Sequence, residues 1–170
     1  MGSFFSLVIL LALTALAPKS LAASPEGANI RAKISLYPIG GFEVTSEVLD
    51  GIGQRIGNAF SASELRVATK TLKSGMALRD QHLRERLKAD EFPDITATNI
   101  SAKDGSGTAT LSIRGIKKLV DFKYKILSPS LAEATFALKL SDFDIKEINY
   151  KGVGVEDEVE VLVTVPYEGK

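Results

Sequence analysis

Strict alternation of apolar and polar residues is the feature that most narrows what this chain can become. Val120, Phe122, Tyr124 and Ile126 alternate with Asp121, Lys123 and Lys125. Successive side chains of a strand point to opposite faces, so this pattern puts an apolar face on a core and a charged face in water. The period recurs along the chain. Ile30, Ala32, Ile34 and Leu36 show it, as do Leu65, Val67, Thr69 and Thr71, then Ala109, Leu111 and Ile113. Ala134, Phe136, Leu138 and Leu140 follow, and finally Val159, Val161, Val163 and Val165. Turn residues separate the runs, most strongly Lys103-Asp104-Gly105-Ser106-Gly107, which predicts a hairpin. Gly51, Gly53 and Gly57 predict turns or a bent strand. Met76 to Lys88 breaks the period: no Gly or Pro interrupts it, and Met76, Leu83 and Leu87 fall on one helical face. The pattern therefore predicts about seven or eight strands and one short helix. Without long helices between strands, a parallel βαβ sheet is disfavoured, and an all-β antiparallel sandwich or barrel is expected.

Composition limits the chemistry. The 170 residues suffice for one domain. Lys plus Arg and Asp plus Glu both number 21, which argues against a nucleic-acid binder. There is no Cys, and His82 is the sole histidine, so disulfides, thiolate sites and multi-histidine metal sites are excluded. No metal or cofactor is expected, and a non-enzymatic binding or structural module is favoured.

Phe4 to Ala17 is an apolar run without a charge, shorter than the ~20 residues that span a bilayer. It fits the apolar region of an export signal, although no Lys or Arg precedes it. Ser20 and Ala22 supply small residues for cleavage after Ala22, predicting a signal peptide over 1–22 and a mature domain over 23–170. The expected destination is the periplasm or the medium. An uncleaved anchor and N-myristoylation on Met1-Gly2-x-x-x-Ser6 are the competing readings.

The segment Lys73-Ser74-Gly75-Met76-Ala77-Leu78-Arg79-Asp80-Gln81-His82-Leu83-Arg84-Glu85 resembles the signature of the YceI-like, polyisoprenoid-binding family, an Arg-Asp-x-His motif on a helix after a glycine. Phe92-Pro93, Thr110 to Lys118, Ser141 to Ile145, Tyr150 to Val153 and Asp157-Glu158-Val159 match further pieces in the same order. The resemblance is strong from about 65 to 165. It implies a lipocalin-like antiparallel β-barrel that holds a long apolar lipid, such as an isoprenoid chain, in its interior. The family's Tyr-x-x-Asp-x-x-His-Ser-like opening is missing at 28–36, which leaves a smaller barrel or one strand fewer open.

On this reading the ligand-binding candidates are the inward stripes Leu65, Val67, Thr69, Leu111, Ile113, Phe122, Tyr124, Phe136, Leu138, Val161 and Val163, with Arg79 and His82 at the mouth. His82 is read as packing or hydrogen bonding at the barrel end, or as touching a head group; no Ser or Cys partner motif supports catalysis. Arg79 either ties the helix locally or meets a polar head group. The expected function is reversible sequestration or carriage of the lipid. The alternative is an exported all-β structural or stress-related module, without a lipid, that works through a protein partner.

Overall fold

The structure, a computed structural model, describes residues 26–146, 148–150 and 152–169. The apolar run at 4–17, the cleavage site and the anchor alternatives lie outside the described residues.

Ten strands form one sheet that curls on itself. They are β1 (Asn29–Tyr37), β2 (Gly41–Ser46), β3 (Gly53–Ile56), β4 (Ala59–Ala68), β5 (Asp94–Lys103), β6 (Ser106–Ile113), β7 (Ile116–Ser128), β8 (Leu131–Lys139), β9 (Asn149–Tyr150) and β10 (Val153–Gly169). One helix, α1 (Ala77–Arg86), and two 3₁₀ turns, Thr69–Thr71 and Leu140–Phe143, complete the described chain. The expectation of an antiparallel barrel with one short helix is met.

The ring runs β10–β3–β4–β5–β6–β7–β8 and returns to β10. Its pairings are antiparallel except one: β3 pairs parallel with β10 through Gly53–Tyr167, Gln54–Glu168 and Arg55–Gly169. β1 also pairs with β10, and β2 with β1. Two bridges, Thr45 with Lys73 and Asp50 with Arg66, stitch this extra pair to the β4 side. The 28–36 region supplies a strand, β1, which lies beside β10 outside the seven-stranded ring.

Local chemistry sets the corners. Asp104-Gly105 and Arg114-Gly115 have positive φ at both residues. Two-residue turns of this hand match the right-handed twist of the flanking strands, so β5–β6 and β6–β7 close tightly. At Gly51 the backbone has φ +115, and an added Cβ would lie 2.4 Å from the Glu64 carbonyl oxygen. Only glycine lets the β2–β3 connection press against β4 there. The core cluster joins Leu65, Val67, Leu111 and Ile113 of the wall to Leu49, Leu72, Leu87 and Phe143 of the connections.

Candidate functional site

The barrel is hollow. A cavity of about 250 Å³ lies along its axis, lined by residues of all seven ring strands and of β1 and β2. That exceeds the ~150 Å³ apolar cavity that suffices to hold benzene. The inward side chains carry the mark of the void. Ile30, Ala32, Ile34, Phe122, Tyr124, Phe136, Leu138 and Val163 point inward yet are only half-buried. In a close-packed core such residues would be fully buried; here part of each faces empty space.

The two ends close differently. At one end Leu83 of α1 and Leu87 just beyond it reach the cavity, joined by Leu72, Leu140 and Ile145. Asp80 fixes the start of this helix by accepting from the Ser74 backbone N–H at 2.7 Å and from the Ser74 hydroxyl at 2.6 Å. Those two bonds, led by the hydroxyl, hold the Asp80 carboxyl below its ordinary pKa. Arg114 Nη1 donates to the carbonyls of Phe143 and Asp144, which pins the Leu140–Phe143 turn beneath the β6–β7 corner.

At the other end an aromatic cluster fills the axis. The Phe60 ring lies edge-to-face with Tyr124 and with Tyr167, centroids 5.0 Å apart in each pair. The Tyr124 hydroxyl donates to the Asn58 carbonyl at 3.2 Å, and the Tyr167 hydroxyl to the Ser128 carbonyl at 3.0 Å. Arg55 caps the cluster, 5.3 Å from the Phe60 centroid.

Ten of the residues singled out from sequence line the cavity: Leu65, Val67, Leu111, Ile113, Phe122, Tyr124, Phe136, Leu138, Val161 and Val163. Thr69, Arg79 and His82 do not. The alternation of β4 ends at Ala68, where the chain turns into 3₁₀ geometry; Thr69 is buried in that turn and donates to the Phe92 carbonyl at 3.2 Å. Arg79 stacks on Phe42 outside the cavity, and His82 is exposed on the outer face of α1. Ile30, Ala32, Ile34, Phe60, Ala97 and Tyr167, absent from the candidates above, also line the cavity. Their signal was present for β1, whose alternation is plain, but Phe60 and Tyr167 sit at strand ends where period two carries little information.

A closed, mostly antiparallel barrel around an apolar hollow, capped by one helix, is a lipocalin-like barrel. Among the described residues no group of three or more His, Cys, Asp or Glu side chains is placed to hold a metal. The YceI-like domain profile matches residues 24–167, and the chain belongs to that family.

Solved structures agree on the fold. A polyisoprenoid-binding domain from Saccharophagus degradans, implicated in plant cell wall breakdown, superposes with a TM-score of 0.62 at 16% identity, covering 84% of this chain and 94% of that one. A YceI protein from Campylobacter jejuni gives 0.57 at 17% identity, covering 77% and 88%. A Campylobacter jejuni YceI mutant with a monobromobimane guest gives 0.57 at 16% identity, covering 78% and 87%. No curated protein matches the chain.

Proposed function

We propose that this protein binds one long-chain apolar lipid, isoprenoid-like in character, inside the barrel, and sequesters or carries it without covalent chemistry. The observation that carries the reading is the cavity itself, about 250 Å³ and lined by aliphatic and aromatic side chains. The ten lining residues named from sequence are its binding surface. The polyisoprenoid-binding description of the Saccharophagus degradans domain supports the choice of ligand class.

The energetics fit a reversible carrier. Each buried CH₂ contributes ~0.8 kcal/mol, so about ten of them give roughly 8 kcal/mol before costs. Loss of translational and rotational freedom takes back several kcal/mol. Micromolar affinity, about −8 kcal/mol, therefore needs a longer buried stretch or a polar contact at the mouth. We read residues 1–22 as the export signal and 23–170 as the working domain, placing the carrier in the periplasm or the medium. The exposed position of His82 offers no support for lipid chemistry with it as base.

Organic extraction of the purified protein, followed by mass spectrometry, tests the binding. A stoichiometric apolar compound, or uptake of an added isoprenoid alcohol, is expected. An empty protein that also takes up no isoprenoid overturns the reading.

A further inference from the structure

We propose that the end of the barrel bearing α1 is a docking surface for an anionic lipid bilayer. The inference rests on the lipid-carrier reading, since a carrier of a membrane-soluble chain must load and discharge at a membrane.

Four large apolar side chains stand out at this end: Tyr37 at 69% exposure, Ile39 at 87%, Met76 at 55% and Leu78 at 63%. Single exposed apolar residues are ordinary, whereas a cluster marks an interaction site. These four come together through the backbone. Thr45 and Lys73 exchange two hydrogen bonds of 2.8 Å, so the chain after Lys73 runs antiparallel beside β2 toward the β1–β2 hairpin. Tyr37 and Ile39 form the tip of that hairpin. Arg79 stacked 4.0 Å over the Phe42 ring fixes the start of α1 at the same place. Met76 and Leu78 therefore lie at the same end of the barrel as Tyr37 and Ile39.

Charge identifies the occupant. The chain as a whole is neutral, with 21 basic and 21 acidic residues. Residues 70–88 nevertheless hold six basic residues, Lys70, Lys73, Arg79, Arg84, Arg86 and Lys88, against two acidic ones, Asp80 and Glu85. Of the six, Lys88 is the one in a close ion pair with a described residue, Glu91 at 3.7 Å. Protruding apolar tips beside a net-basic segment are what an anionic bilayer interface attracts: the tips enter the head-group layer while the cations meet lipid phosphates. The contact also reaches the ligand. Leu83 of the same ten-residue helix and Leu87 just after it line the cavity, so the element that meets the bilayer is the one that closes the hollow.

Co-sedimentation with two kinds of vesicle tests this: pure phosphatidylcholine, and phosphatidylcholine mixed with phosphatidylglycerol. The full domain is expected to partition onto the mixed vesicles, less so at high salt. Ile39→Asp with Leu78→Asp should cut that partition by about tenfold, while Ile56→Asp, at the opposite end and 80% exposed, leaves it unchanged. Absence of binding to the mixed vesicles, or equal loss in the Ile56→Asp control, overturns the proposal. So does self-association removed by the Ile39 and Leu78 substitutions without vesicle binding, which would assign the face to a second copy of the chain. Isoprenoid uptake in the same samples is scored separately. A protein that takes up the chain but ignores vesicles sinks the docking surface alone; one that binds vesicles but takes up nothing sinks the carrier reading alone.

Discussion

The guanidinium of Arg79 lies 4.0 Å from the centroid of the Phe42 ring, joining the first turn of α1 to β2. Few other polar ties hold the helix: Asp80 grips Ser74, and the rest of its fastening is Leu83 and Leu87 against the cavity. Arg79→Ala should therefore cost about 0.5–1 kcal/mol, the worth of a partly exposed cation–π contact. Arg79→Lys should recover part of it. Urea denaturation of Arg79→Ala, Phe42→Leu and the double variant gives the coupling; strict additivity would show that the stacking contributes nothing.

Ala97 and Ala134 face the hollow and are half-buried. Enlarging them distinguishes a hollow from a packed core by the sign of the effect. In a packed interior, Ala134→Phe would cost about 1–3 kcal/mol through overpacking. Here, filling unoccupied space, Ala97→Phe and Ala134→Phe should leave stability unchanged or raise it by about 0.5–2 kcal/mol. Both should abolish isoprenoid uptake. Thermal unfolding and a fluorescent-isoprenoid titration read the two effects side by side.

Much of this wall was legible in the sequence. The stripes Ala109 to Ile113, Val120 to Tyr124 and Ala134 to Leu138 turned inward as their alternation required, because a barrel strand has no other way to bury one face. The turn at Asp104-Gly105 formed where the dipeptide demanded positive φ. Alternation marks Thr69 as inward because it does not say where a strand stops; the chain leaves β4 one residue earlier. The helical period groups Met76 on one face with Leu83 and Leu87, yet Met76 precedes the first turn and stays exposed. Residues beside a helix start do not follow its period. The parallel pairing of β3 with β10 joins segments more than a hundred residues apart, and no local pattern encodes it.

Asp80 and Asp157 are each held below the ordinary carboxylate pKa by hydrogen bonds from a serine hydroxyl and backbone, Ser74 and Ser141 respectively. A lowered folded-state pKa stabilises the fold above the unfolded value of about 3.9, and that contribution disappears as pH falls through the folded value. Asp80→Asn should be less stable than wild type at neutral pH, with the gap narrowing below about pH 4. Thermal midpoints across that range check it; a gap that stays constant would exclude the linkage.

Gly51→Ala would force a side chain to 2.4 Å from the Glu64 carbonyl in a backbone conformation of φ +115. The expected loss is about 1–3 kcal/mol. Circular dichroism with urea titration measures it, and an unchanged midpoint would mean that the connection can move away from β4.

His82 is exposed and lies off the cavity. His82→Ala should change stability by less than about 0.5 kcal/mol and leave isoprenoid uptake intact. A clear loss of uptake would bring the Arg-Asp-x-His motif back to the mouth of the barrel.

Strand β10 meets β8 from Glu158 to Pro166 and β3 from Tyr167 to Gly169. It is thus the keystone of the ring, and it comes after every other stave in the chain. During synthesis the hairpins from β4 to β8 can assemble early, but they remain an open sheet with bare edges until Val153–Gly169 emerges. Nascent chains halted before that point should be captured by chaperones and cut by proteases, and only the finished polypeptide should become resistant, in a single late step.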